Sequence, residues 1–145
     1  MPQPQNDRSL GHAQRLREAG LKATAPRIAV LGALEAGGHP TVDEVFTRAS
    51  TELAGSSLQA IYGVLAALTE AGLARKLEPA GSTARFEART GDNHHHLVCS
   101  ACGRIEDVDC AVGESPCLTP AALHGFRVHQ AEVTYWGVCG DCQTE

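Results

Sequence analysis

Two Cys-x-x-Cys pairs, Cys99/Cys102 and Cys139/Cys142, stand 36 residues apart in the last third of a 145-residue chain. Four thiolates at ~2.3 Å around Zn²⁺ make a closed tetrahedral site with no open position, an arrangement that staples structure and performs no chemistry. The gap exceeds that of a compact zinc ribbon and suits a strand–helix–strand excursion that returns the second pair to the first. Six cysteines would also permit the three disulfides of a secreted domain. The opening stretch "MPQPQNDRSLGHAQ" is polar and resembles no secretory signal, and no apolar run reaches the ~20 residues of a membrane span. The expectation is a cytoplasmic protein with no membrane partner, whose paired cysteines hold metal. A redox dithiol would want a thioredoxin-like βαβ pattern, which is missing. The remaining thiols, Cys110 and Cys117, are open to two readings, a thiol–disulfide pair or packing as small apolar side chains. With no pKa-lowering neighbour in view, packing is favoured.

Three consecutive histidines, His94, His95 and His96, precede the first pair. They have no room in a site whose four positions are taken. If residues 94–99 run extended, His94 and His96 point to one face while His95 and Cys99 point to the other. His94 and His96 are then available to a different ion, and Glu87 and Asp107 are nearby carboxylates. Imidazole with carboxylate suits Fe²⁺, Mn²⁺, Zn²⁺ or Ni²⁺ and does not choose among them. A solvated histidine loop after Gly91, Asp92 and Asn93 is the bland alternative.

Upstream, the chain reads as helices punctuated by caps and glycines. "SLGHAQRLREAG" has Ser9 as a candidate N-cap and Gly20 as a stop. "TAPRIAVLGALEAGG" has Thr24 as cap, Pro26 in the tolerated first turn and Gly37 past the end. "PTVDEVFTRASTELAG" opens with a capping box, Thr41 and Glu44, and stops at Gly55. "SSLQAIYGVLAALTEAG" repeats the device with Ser56 and Gln59 and stops at Gly72. In this last helix Leu58, Ile61, Leu65 and Leu68 recur at helical spacing and should face a core. "LARKLEPAGSTARFEAR" then reads as a β-hairpin turning at Pro79-Ala80-Gly81-Ser82.

Two helices joined by a tight turn and followed by a hairpin describe a winged helix-turn-helix, with residues 57–71 as reading helix and 73–87 as wing. A plain helical bundle carrying a hairpin is the rival. The fold class expected is α+β, with a winged-helix DNA-binding domain over 1–88, a hinge at 89–92 and a small α/β dimerisation domain over 93–145 that holds the four-cysteine zinc. In that last part "PAALHG" suggests one or two helical turns and "FRVHQAEVTYWGVC" a longer strand. So small a unit needs a metal staple or a partner subunit, and both are expected. Charge permits DNA binding without arguing for it. Residues 1–90 carry ten Lys/Arg against nine Asp/Glu, and residues 91–145 carry two against eight, beside the metal ligands. Gln59 and Tyr62, in the first turns of the reading helix, are candidates for base edges or sugar; Lys22, Arg27, Arg75 and Lys76 are candidates for phosphate.

A winged helix, an H-x-H just before C-x-x-C, and a terminal C-x-x-C together resemble the ferric uptake regulator family of metal-dependent repressors. The resemblance runs from "LKATAPRIAVL" through "SSLQAIYGVLAALTEAGL", "ARFE" and "HHHLVCSACGRIED" to "YWGVCGDC". It is nearest to the peroxide-responsive members, and "DVDCAVGESPCLT" looks like actinobacterial members that control catalase genes. The resemblance implies a regulatory metal on His39, Glu87, His94, His96 and Asp107, with Fe²⁺ or Mn²⁺ as occupant and Zn²⁺ or Ni²⁺ as others that fit. It implies a homodimer on an inverted-repeat DNA operator, and loss of repression when peroxide oxidises a ligand histidine. Asp107 resembles the peroxide sensors; Glu87 stands where the best-known of them has Asp, and one extra residue precedes His94. A third family site is matched by His95 and Glu114 but has Asn93 and Ala131 at its other positions, with His129 two residues from the latter. Iron- or zinc-uptake regulation is the alternative within the family. A metal-storage or chaperone protein is the alternative outside it, although that leaves the helix-turn-helix and wing unexplained. The zinc-deaminase motifs, H-E-x-x-H and a nucleophile elbow are all missing, so no enzyme is expected.

Overall fold

The computed structural model describes residues 4–88, 94–108, 120–128 and 133–143, with backbone only for 4–9. Helices and strands are mixed in an α+β chain that divides into two units, Met1–Thr90 and Gly91–Glu145. Among the described residues no helix is long and apolar enough to cross a membrane. The expected hinge at 89–92 lies outside the described residues.

The first unit contains α1 (Pro4–Glu18), α2 (Ala25–Glu35), α3 (Val42–Ser50), α4 (Leu58–Glu70), β1 (Arg75–Leu77) and β2 (Arg85–Glu87). Local chemistry sets most helix ends. Thr24 accepts from the Arg27 amide, and Thr41 and Glu44 form the expected reciprocal capping box at 3.3 and 3.2 Å. Gly20 and Gly72 adopt φ of 83° and 79°, and each closes a helix with a pair of backbone bonds: Gly20 to Arg17 and Leu21 to Leu16, Gly72 to Thr69 and Leu73 to Leu68. Three details depart from expectation. Helix α1 begins at Pro4, so Ser9 lies inside it. Helix α3 ends at Ser50, short of Gly55. The cap of α4 is Ser57, bonded to the Ala60 amide at 3.2 Å, so the third helical residue is Ala60 and Gln59 completes no box. The shift leaves Leu58 at the first helical position, past the edge of the buried stripe and 37% exposed.

Ile61, Leu65 and Leu68 of α4 meet Leu31 and Leu34 of α2, Val45 of α3 and Leu16 of α1 in one core. The hairpin closes it from the side. Strands β1 and β2 pair antiparallel with Lys76 opposite Phe86, and Phe86 turns inward. The expected turn is present, with the Ser82 amide on the Pro79 carbonyl at 3.0 Å. The link between α2 and α3 lies along β2 as well: the Phe86 amide bonds the Pro40 carbonyl at 2.9 Å, and Thr41 forms an isolated bridge with Arg85.

The second unit is a three-stranded sheet in the order β4-β3-β5, comprising β3 (His95–Cys99), β4 (Ile105–Val108) and β5 (Thr134–Gly137). Strands β3 and β4 run antiparallel with His96 opposite Asp107; β3 and β5 run parallel with Cys99 opposite Gly137. Residues 120–125 form no helix. The Phe126 amide bonds the Leu123 carbonyl at 2.8 Å across a turn in which His124 and Gly125 both take positive φ, and two left-handed residues cannot continue a right-handed helix. The strand expected across 126–139 is realised only at Thr134–Gly137; residues 126–128 are not strand, and 129–132 lie outside the described residues.

The two faces of α4 give a direct test of this core. Leu65→Ala, at a side chain 1% exposed, should lower unfolding free energy by ~2–5 kcal/mol, whereas Tyr62→Ala, at 55% exposed, should stay within ~0.5 kcal/mol. Urea denaturation of both variants checks it, and equal losses would refute the burial pattern.

Candidate metal centre

Cys99 ends β3, Cys102 sits in the turn toward β4, and Cys139 and Cys142 flank a turn just after β5. Their sulfurs all lie within 4.8 Å of one another, and those of Cys102 and Cys139 are 3.8 Å apart. A tetrahedron with ~2.3 Å zinc–sulfur bonds has edges of ~3.8 Å, so the four thiols fit Zn²⁺. Amide donors prepare the charge: the backbone N–H groups of Cys139 and Cys102 point at the Cys99 sulfur from 3.3 and 3.5 Å. Those bonds, Cys139's first, bring the Cys99 thiol down to about 6 from an ordinary 9.0. Cys142 is pushed up to about 12, chiefly by thiol hydrogen bonds to Cys139 and then Cys102 that favour its protonated form. A divalent cation reverses that preference by replacing the proton.

The imidazole and carboxylate candidates fall into two groups, each inside one unit. In the first, His39 Nε2 lies 3.2 Å from Glu87 Oε2, with both side chains under a tenth exposed. Arg85 Nη1 donates to the His39 carbonyl at 3.0 Å. In the second, His94 Nε2 and His96 Nε2 converge on a single oxygen, Asp107 Oδ1, at 3.5 and 3.3 Å, and their rings meet edge to face. Strand alternation puts both histidines on the face expected, and the β3–β4 register sets Asp107 opposite His96. Donors bound at ~2.1 Å lie ~3.0 Å apart in an octahedral shell and ~3.4 Å apart in a tetrahedral one, so these separations suit a first-row divalent ion. His95 has the other parity, and its Nδ1 accepts the Val133 amide at 3.3 Å. Glu114, His129, Cys110 and Cys117 lie outside the described residues.

The nucleic-acid candidates are distributed over the first unit. Gln59 and Tyr62 are exposed in the first half of α4. Tyr62 and Lys76 line one cleft of about 470 Å³ between α4 and the hairpin, with Asp43 and Glu70 also on its walls. Lys76 is exposed and pairs with Glu78 at 2.6 Å. Lys22 is exposed, and its carbonyl accepts from the Arg27 guanidinium at 3.1 Å; Arg75 is half-buried on β1. Of the partners that seat His39, residue types single out Glu87 but not Arg85. Arg85 acts on a backbone carbonyl 46 positions away, and the only local hint was a histidine-proline step leading into a capping box.

A helical unit with a hairpin, followed by a strand unit with four clustered thiols and a set of imidazole and carboxylate donors, belongs to the metal-dependent regulators of transcription. Residues 18–136 match the ferric uptake regulator family, and the chain belongs to it; its members are regulators and not enzymes. The chain is 54% identical over 131 residues to the transcriptional regulator FurA of Mycobacterium tuberculosis, covering 90% of this chain and 89% of that protein. It is 33% identical over 131 residues to the peroxide-responsive repressor PerR of Staphylococcus aureus, covering 88% and 86%. The fold is similar to that of the Helicobacter pylori ferric uptake regulator Fur, described as having three functional metal binding sites. There the TM-score is 0.70 at 18% identity, over 99% of this chain and 96% of that one.

Proposed function

We propose that this protein is a homodimeric, cytoplasmic DNA-binding repressor switched by a divalent ion that His39, Glu87, His94, His96 and Asp107 ligate together. In this reading the first unit is a winged helix-turn-helix, α4 reads the major groove and the β1–β2 hairpin is the wing. The convergence of His94 and His96 on one oxygen of Asp107 carries the reading, because two imidazoles and a carboxylate gathered that closely are a ligand set. His39 and Glu87 form a second, smaller set in the other unit. Neither set alone fills a four- to six-coordinate shell. An ion shared by both fixes the angle between reading helix and strand unit, and so the spacing of two reading helices against a repeat of ~34 Å.

The dimer is supported by a sheet edge that is left open among the described residues. Strand β5 is exposed along its whole length, with Tyr135 at 40% and Trp136 at 49%, and Leu97 on β3 is also exposed. An apolar edge strand of this kind asks for a second copy.

Fe²⁺ is the proposed occupant in the cell and hydrogen peroxide the proposed signal. Iron at this site would activate hydrogen peroxide, with the ligand histidine as the two-electron reductant. One peroxide oxygen would be inserted into a ring C–H bond of His39 or His94, and the other would leave as water. The oxidised ring is a weaker ligand and repression ends. A relative named as a peroxide-responsive repressor and the aspartate at 107 favour this reading. Iron-responsive regulation of uptake is the second reading, favoured by the carboxylate at 87 being glutamate. A third metal position drawn from His95, Glu114 and His129, with Cys110 and Cys117 as further thiols, belongs to the same proposal.

With Mn²⁺ present, the protein should retard an inverted-repeat operator; chelation or His96→Ala should weaken that binding by roughly 5- to 150-fold, the usual span of coupling between sites. A metal carrier without DNA function would give no sequence-specific shift at any metal level. Iron-loaded protein exposed to mild peroxide should gain one oxygen on a histidine by peptide mass spectrometry, and the manganese form should not. An unmodified iron form would rule out peroxide sensing and leave the uptake reading.

A further inference from the structure

We propose that Arg85 is a positioning residue for the regulatory metal, holding residues 39–41 against β2 so that the His39 imidazole faces Glu87 before any ion arrives. The inference rests on the ligand set proposed above and concerns how one ligand is presented.

His39 stands in a poor place to hold a ligand still. Gly37 and Gly38 precede it, both at positive φ, and Pro40 follows with no N–H to donate. The segment therefore gains its order from outside. Arg85 Nη1 takes the His39 carbonyl at 3.0 Å, the Phe86 amide takes the Pro40 carbonyl at 2.9 Å, and Thr41 pairs with Arg85. Arg85 and Glu87 are two residues apart on one strand and share a face, while Phe86 between them turns into the core. His39 is thus held at both ends from one strand face, its carbonyl by Arg85 and its ring by Glu87 at 3.2 Å. Arg48 Nη1 holds the Gly37 carbonyl at 2.9 Å, two residues before the ligand, so Arg85 is the anchor on the strand side.

Arg85 Nε is buried and, among the described residues, has no hydrogen-bond partner. A buried unsatisfied donor destabilises the fold, and an apolar side chain of similar length would avoid the penalty. What the guanidinium does through Nη1 offsets it. Ordering a ligand in advance removes an entropic cost from ion binding, so the effect should be read in affinity.

The test uses full-length zinc-loaded protein with Mn²⁺ as probe, free and bound ion being counted by electron paramagnetic resonance. Arg85→Met should weaken Mn²⁺ binding by roughly 10- to 100-fold, the usual effect of removing a group that orients a ligand. Arg85→Lys keeps a cation that can reach a carbonyl but lacks the planar fork, and should fall between Met and wild type. Zinc content and Tm should stay at wild-type values, and hydrogen exchange of the Phe86 amide in Mn²⁺-free protein should quicken. If Arg85→Met does not fold, Arg85→Lys decides, and wild-type affinity with wild-type exchange overturns the proposal. Wild-type Mn²⁺ affinity in folded Arg85→Met, where His39→Ala loses the ion, overturns it equally. Unchanged affinity in His39→Ala would instead show that His39 is no ligand, and the metal reading would fail first and take this proposal with it.

Discussion

Four sulfurs within 4.8 Å draw together three separate pieces of chain: the end of β3, the turn into β4 and the segment after β5. Among the described residues the other links between them are polar and few: the Ser100 amide and hydroxyl on the Gly137 carbonyl, and an exposed Arg104–Asp141 pair. Strand β5 is exposed throughout and meets β3 over only four residue pairs. Ordering a residue costs ~1–2 kcal/mol of backbone entropy, and so short a sheet buries too little to offset it. A structural zinc contributes ~10–16 kcal/mol of binding free energy that becomes folding free energy. The consequence reaches past the cysteines, because the register of β3 against β4 is what sets His96 opposite Asp107. The thiol cluster, by stiffening its strand, also sets how His94 and His96 meet Asp107.

What was legible in the sequence divides along the same line between local and distant causes. Thr24, Thr41 with Glu44, Gly20 and Gly72 announce helix ends because capping is settled within four residues. The period-two alternation of β3 is equally local, and it sorted His94 and His96 from His95 correctly. Where two neighbours compete, residue types do not decide. Ser56 and Ser57 are chemically identical, and backbone geometry chose the second, which also carried Leu58 off the buried face. In the strand unit, composition suggested a helical turn at 120–125 that the left-handed pair His124 and Gly125 forbids. Arg85 was invisible for a different reason. Its partner is a main-chain carbonyl, which every residue possesses and no motif records.

The helical unit shows a matching economy in the surface that α4 leaves exposed. Helix α4 spends Ile61, Leu65 and Leu68 on the core, which leaves Gln59, Tyr62 and Ala66 on the outer face. The cleft beside that face carries carboxylates at Asp43 and Glu70 as well as Lys76. Mixed charge of this kind adds little non-specific attraction for phosphate, so binding would lean on base and sugar contacts and on the correct spacing of two copies. A protein that depends on spacing is the kind an angular clamp can control, since a small change in angle removes half the contacts at once.

Burial of the histidines bears on the peroxide reading in a way that exposure would not. The side chains of His94 and His96 are 0% and 8% exposed, and that of His39 is 6%. An oxidant arriving from bulk solvent would meet Tyr62 and Phe126 first, at 55% and 74% exposed. An oxidant formed at an ion held by these histidines would need no diffusion and would strike a ligating ring. The distribution of added oxygen along the chain therefore reports where the oxidant was made. Oxygen confined to the buried histidines, with the exposed aromatics untouched, points to chemistry at the ligand set; oxygen spread over the aromatics points to solvent.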